Sequence, residues 1–142
     1  VSEWIDEAVS DGARLVCGGG RQAAVVTPTL LADVKPDMRI SRDELFGPAV
    51  GVTHAANMDQ AIEMANDTRF GLSASIFTQD IDAAVRFARN VHSGNIHINW
   101  GPMWRADLMP YGGLKESGLG KEGPKYAIAE MTELKTVVIH EG

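Results

Sequence analysis

The stretch PYGGLKESGLGKEG, Pro110 to Gly123, holds five of the chain's 15 glycines, and its second half spells G-x-G-x-x-G. Glycines at that spacing cradle a pyrophosphate in one setting only. A strand must lead directly into the first glycine, a helix must follow, and an acidic residue must stand about 20 positions on, after a second strand. Here Gly118 is preceded by PYGGLKES, which has no strand pattern, and the final strand-like run is followed at once by the last residues. A P-loop needs G-x-x-x-x-G-K-[ST], and no window supplies it. The stretch therefore reads as a tight, winding loop with positive φ at several glycines.

Outward from that loop, helical and extended patterns alternate. VSEWIDEAVSDG reads as an amphipathic helix with Ser2 as N-cap, Trp4, Ile5, Ala8 and Val9 at helical spacing, and Gly12 in its C-terminal turn. ARLVCGG reads as a strand, and VVTPTLLADV as a second one that Pro28 assigns to an edge or an irregular position. AVGVTHA is short and β-branched. Asn57 with Gln60 forms a capping box before a helix that turns Ile62 and Ala65 inward. LSASIFT is a strand, and DIDAAVRFARN a helix with Ile81, Ala84, Val85 and Ala88 as its apolar stripe. GNIHIN is a strand, Pro124 opens a helix that runs to about Met131, and LKTVVIH closes as a strand. This alternation predicts an α/β fold with a largely parallel sheet and flanking helices, packed as one unit.

Composition narrows the function classes. The net charge of −6 argues against nonspecific nucleic-acid binding, and no apolar run approaches the roughly 20 residues of a membrane span. One cysteine and four scattered histidines offer neither an internal disulfide nor metal-ligand spacing. A reducing, cytoplasmic setting is the expectation. The chain opens on Val1 rather than methionine, as a domain does or a piece of a longer chain.

A second stretch, SRDELFGPAV from Ser41 to Val50, sets Glu44 and Phe46 just before a Gly47-Pro48 turn. A carboxylate accepts hydrogen bonds from two ribose hydroxyls, and an aromatic ring packs on a flat heterocycle. A buried aromatic beside a solvated acid is the alternative.

PTLLADVKPDMRISRDELFGPAVGV, AIEMANDTRFGLSASIFTQD, GNIHIN and MPYGGLKESGLGKEG…EMTELKTVVI follow one another in an order and at spacings that together resemble the C-terminal part of an aldehyde dehydrogenase. The E-x-F-G-P box and the P-[FY]-G-G-x-K-x-S-G-x-G-[RK]-E-G box carry that resemblance, which covers essentially the whole chain. It implies residues 1–133 as a C-terminal segment of the catalytic domain and 134–142 as an oligomerisation strand and tail. NAD or NADP is the implied cofactor, an aldehyde the substrate, and a homo-oligomer, dimer or tetramer, the assembly.

The resemblance also implies roles. Glu44 matches a glutamate that hydrogen-bonds the nicotinamide ribose, and Phe46 a phenylalanine near the nicotinamide. Asn99 and the loop after it match the substrate tunnel, with Tyr111 at an aromatic position there. Glu122 matches an acidic position that relays protons in some members. The family's chemistry starts from a cysteine thiolate, whose oxyanion, hydride and water-activation steps use groups upstream of this segment. No catalytic residue of that set is expected here. Cys17, in RLVCGGG, is expected to be a buried structural thiol.

NWGPMWRADLMPYGG bears on the substrate. Arg105 stands six residues before Tyr111, where many members resemble one another in carrying an aromatic or apolar side chain. A guanidinium there favours a small aldehyde bearing a carboxylate, phosphate, phosphonate or sulfonate. The loop and the chain's ending look like the branch that includes lactaldehyde, non-phosphorylating glyceraldehyde-phosphate and phosphonoacetaldehyde dehydrogenases. The second reading pairs Arg105 with Asp107 as structure alone. Trp100 and Trp104 flank the loop, as substrate platforms or as packing. The four histidines receive no chemistry. Two function classes follow: a piece of an oxidoreductase, inactive alone, or a stand-alone binding, oligomerisation or split-enzyme module.

Overall fold

A computed structural model describes residues 1–142. They pack as two compact units, Val1–Met64 and Ala65–Gly142, rather than the one expected from sequence. Each unit has its own parallel strand pair and its own hydrogen-bonded ladders.

In the first unit, helix α1 (Ser2–Ser10) starts one residue earlier than the sequence suggests, so Ser2 lies inside the helix and Val1 is the cap, without a side-chain bond. The Val1 carbonyl instead accepts from the N–H groups of Trp4 and Ile5. Gly12 takes a φ of 105°, as the C-terminal turn requires. Ile5 and Ala8 face a core with Ala13, Leu31, Val34 and Met38, while Val9 stays exposed. Strand β1 (Arg14–Cys17) pairs antiparallel with β4 (Thr29–Ala32), and the short hairpin β2 (Arg21–Gln22) with β3 (Val25–Val26) lies between them in sequence. After the single-turn helix α2 (Arg39–Arg42), β5 (Ala49–Gly51) joins β4 in parallel.

The strand order β1-β4-β5 makes β4 the central strand, not an edge. Pro28 falls just outside it, so the ladder loses no donor: the first strand N–H, on Thr29, reaches the Pro48 carbonyl at 2.8 Å. Leu31, wholly buried, sits mid-strand. Buried Thr29 is satisfied, its hydroxyl donating to the Thr27 carbonyl and accepting from the Gly19 N–H.

Cys17 is exposed, not buried. It ends an edge strand exposed along its length, at the point where the register with β4 slips. Helix α3 (Met58–Asn66) begins as expected: the Asn57 side chain accepts from the Gln60 N–H, and the Gln60 side chain accepts from the Ala56 N–H. Its buried residue is Ile62.

In the second unit, β7 (Ser73–Ile76), α4 (Ile81–Asn90) and β8 (Asn95–Ile98) form a parallel βαβ unit in register from Ser73↔Asn95 to Ile76↔Ile98. The Asp80 carboxylate caps α4 by accepting from the N–H groups of Asp82 and Ala83. The buried face of α4 is Ala84 and Phe87, followed by Val91. Ile81, Val85 and Ala88, expected inward, are exposed. Two stripes compete on this helix, and the one that buries the Phe87 ring prevails because the ring removes the largest apolar area from water.

The glycine-rich segment supplies β9 (Leu114–Lys115), antiparallel to β6 (Phe70–Gly71), and then α5 (Pro124–Glu130), with Pro124 in its first turn. The parallel pairs are therefore β4–β5 and β7–β8, and the remaining pairs are antiparallel, so the sheet is not largely parallel. Both parallel pairs are joined through a helix, as parallel neighbours require, whereas the antiparallel pairs range from the tight β2–β3 hairpin to β6–β9, whose strands lie far apart in sequence. Residues 132–142 form no strand, and Leu134 and Ile139 are among the exposed apolar side chains there. A β-branched run becomes a strand only when another strand takes its hydrogen bonds, and here none does. No helix is long and apolar enough to cross a membrane.

Candidate functional site

The segment with Glu44 and Phe46 leaves a well-anchored α2. The Arg39 guanidinium lies 4.2 Å over the Trp4 ring and 3.8 Å from both Glu7 and Asp43 carboxylates. After the extended Asp43, the Gly47 N–H donates to the Leu45 carbonyl at 3.0 Å, which closes a three-residue turn about Phe46. A side chain at position 47 would crowd Val1, whose side chain would have to shift. Glu44 is exposed and Phe46 is 86% exposed, so the alternative of a buried aromatic fails. An open carboxylate and an open ring face on a fixed turn fit a ribose diol and a flat heterocycle.

The other singled-out residues lie in the second unit. Asn99 follows β8 with a φ of 58°. Its side chain accepts from the Thr78 N–H at 2.7 Å and donates to the Thr78 carbonyl at 2.9 Å, while its own N–H reaches the Ile76 carbonyl. The amide thus continues the β7–β8 ladder by one rung as the main chain turns away. Asn99 starts the loop, with its side chain committed to Thr78.

Arg105, Tyr111 and Glu122 come together. Tyr111 and Glu122 exchange main-chain hydrogen bonds of 3.2 and 2.6 Å in an isolated β-bridge. Arg105 Nη1 donates to Glu122 Oε2 at 2.7 Å, and the guanidinium carbon lies 4.9 Å from the Tyr111 ring centroid. The structural partner of Arg105 is thus Glu122 and not Asp107. The two side chains keep 45% and 66% of their surface exposed, so a solvent-borne anion can reach the guanidinium.

Trp104 stands edge-on to His97 with ring centroids 6.2 Å apart. With Trp100 these rings line a cavity of about 390 Å³. His97 Nε2 is buried without a hydrogen-bond partner. The sequence signal for His97 was its place in Ile96-His97-Ile98, which turns it to the face opposite its neighbours. That alternation could have placed His97 beside the tryptophans; it carried no chemistry by itself.

Several N–H groups of the glycine loop are spent on the protein. Gly118, Gly120 and Gly123 have positive φ, as expected of a winding loop. The Lys121 N–H donates to the Glu130 carboxylate of α5, and the Glu122 N–H to the Tyr111 carbonyl. A carboxylate already occupies the Lys121 N–H. The loop is fastened to the sheet by buried Asn95, whose amide reaches the Leu72 and Gly112 carbonyls, and is tied across itself by Lys121 Nζ on the Gly112 carbonyl.

Residues 1–137 match the aldehyde dehydrogenase family. The chain is 46% identical over 140 residues to the 3-sulfolactaldehyde dehydrogenase of Priestia aryabhattai, covering 99% of this chain and 29% of that protein. It is 40% identical over 140 residues to the lactaldehyde dehydrogenase of Methanococcus aeolicus, covering 99% and 30%. Among solved structures it superposes on the glyceraldehyde-3-phosphate dehydrogenase GapN of Methanocaldococcus jannaschii, complexed with NADP. The TM-score is 0.92 at 38% identity, covering 99% of this chain and 30% of that one. The chain thus spans under a third of the length of these relatives. On the family match over nearly its whole length, this chain belongs to the aldehyde dehydrogenase family.

Proposed function

We propose that the chain is the C-terminal catalytic-domain segment of an NAD(P)-dependent aldehyde dehydrogenase that oxidises a small anionic aldehyde to its carboxylic acid. The observation that carries the substrate class is the half-exposed Arg105 guanidinium, held between Tyr111 and Glu122. Two of the similar proteins are named for anionic aldehydes, sulfolactaldehyde and glyceraldehyde 3-phosphate, which supports the reading, while the lactaldehyde dehydrogenase is named for an uncharged one.

The open Glu44 carboxylate would hold the ribose hydroxyls of NAD or NADP, and the Phe46 ring would lie against its nicotinamide. The nicotinamide supplies the electron acceptor. Arg105 would fix the anionic end of the aldehyde through its planar fork, and Trp100 and Trp104 would limit water access at the mouth of the loop. The thiol nucleophile and general base would belong to the rest of the enzyme, so this chain alone would turn over no aldehyde. Residues 134–142 would add as a strand to a sheet edge of a second subunit, in a homodimer or homotetramer. The exposed Leu134, Val137, Val138 and Ile139 support that role. The cytoplasm is the compartment we assign.

In the full-length enzyme, Arg105→Leu should raise KM for 3-sulfolactaldehyde about tenfold or more, the order of one charge-assisted hydrogen bond. It should raise KM for neutral lactaldehyde far less. Equal effects on the two substrates reject the reading.

A further inference from the structure

We propose that Glu122 is a built-in counter-ion that competes with the substrate's anionic group for Arg105, and so sets how strongly the enzyme selects charged aldehydes. This rests on the reading of Arg105 given above. It assigns Glu122 a task different from the proton relay that its sequence position suggests.

Three observations carry it. First, Glu122 Oε2 already occupies one donor of the guanidinium, Nη1, at 2.7 Å. Second, the main chain that bears this carboxylate is held in place: it is tied to Tyr111 by hydrogen bonds in both directions, and Tyr111 is the ring on which the guanidinium rests. The acceptor, the cation and the ring are therefore one preassembled group. Third, the pair remains substantially solvated, at 45% and 66% side-chain exposure, so an incoming anion can reach the guanidinium and contend with the carboxylate for it.

A guanidinium has five N–H donors, and a sulfonate, phosphate or carboxylate takes two of them in parallel. An incoming anion has two choices. It displaces Glu122 from Nη1, or it takes the remaining edge and sits beside a like charge. Both penalise the anion, and neither acts on an uncharged aldehyde. The same ion pair also orients the guanidinium, so charge and geometry must be separated by the choice of variant. Glu122→Gln keeps an oxygen acceptor for Nη1 and removes the charge. Glu122→Ala removes both.

The test uses the full-length enzyme with 3-sulfolactaldehyde and lactaldehyde as substrates. With Glu122→Gln, the ratio of KM for the sulfonate to KM for the neutral aldehyde should fall about three- to tenfold, the size of a solvated like-charge term. Glu122→Ala should lower that ratio less, because the fork loses its orientation. In an Arg105→Leu background the Gln substitution should no longer move the ratio, since the two act as one pair. An unchanged ratio with Gln overturns the proposal, and so does a shift that persists without Arg105. A proton relay would instead lower kcat for both substrates alike and alter the pH profile of kcat, which also overturns it. If Arg105→Leu discriminates by charge and Glu122→Gln does not, the counter-ion role alone fails. If Arg105→Leu shows no charge discrimination, both readings fail together.

Discussion

Replacing Asn99 by alanine separates a structural task from a substrate-lining one. The side chain makes two hydrogen bonds to the Thr78 main chain, at 2.7 and 2.9 Å, in an exposed setting. Each contributes about 0.5–1 kcal/mol there. Asn99 also holds a φ of 58°, which asparagine tolerates and alanine adopts at a cost of about 1 kcal/mol or more. Asn99→Ala should therefore destabilise the second unit by about 2–3 kcal/mol. Asn99→Gly loses the same bonds but not the φ preference, and should cost about 1–2 kcal/mol. Urea unfolding followed by the fluorescence of Trp100 and Trp104, which lie in this unit, gives both values; exchange of the Thr78 amide reports the local opening. The reasoning fails if glycine is as damaging as alanine. It also fails if both changes stay within about 0.5 kcal/mol, because the loop would then not depend on this tie.

Two further substitutions probe the units separately. Gly94→Ala puts a Cβ onto the Gly112 carbonyl oxygen, a main-chain atom that cannot rotate away. It should cost about 2–3 kcal/mol or more by overpacking and detach the glycine-rich segment from β8, read as lost amide protection at residues 112–117. A wild-type exchange pattern would show that the backbones separate at no cost. Leu31→Ala empties the centre of the first unit's core, where Leu31 is 0% exposed. It should cost about 3 kcal/mol by calorimetry, and a loss below about 1 kcal/mol would mean that Ile5, Val34 and Met38 collapse into the space.

Local signals were readable from sequence wherever one residue type had one use. The Asn57-Gln60 box, the Asp80 helix start, Pro124 in the first turn of α5 and the positive-φ glycines all form as the residues suggest. Sequence and structure part where a partner decides the outcome. LKTVVIH has the composition of a strand but finds no neighbour to pair with. DIDAAVRFARN offers two apolar stripes, and only packing selects the one through Phe87. Cys17 looks inert by composition, yet the position of β1 at the sheet edge exposes it. At the candidate site, sequence named Arg105, Tyr111 and Glu122 separately and weighed Asp107 as the partner. Their joining depends on the Tyr111–Glu122 bridge, which closes a loop that no periodicity records. Helix periodicity and capping are properties of neighbours in the chain, whereas that bridge is a property of distant ones.

The loop from Asn99 to Tyr111 is fastened at each end to main-chain atoms, Thr78 at one and Glu122 at the other. Neither fastening asks anything of the side chains at 100–110. Apart from Arg105, which pairs with Glu122 and rests on Tyr111, that stretch can accept new residues without disturbing the two fastenings. A lineage can therefore rewrite what the site admits by changing one short connection, and the scaffold that carries the cost of folding is inherited intact.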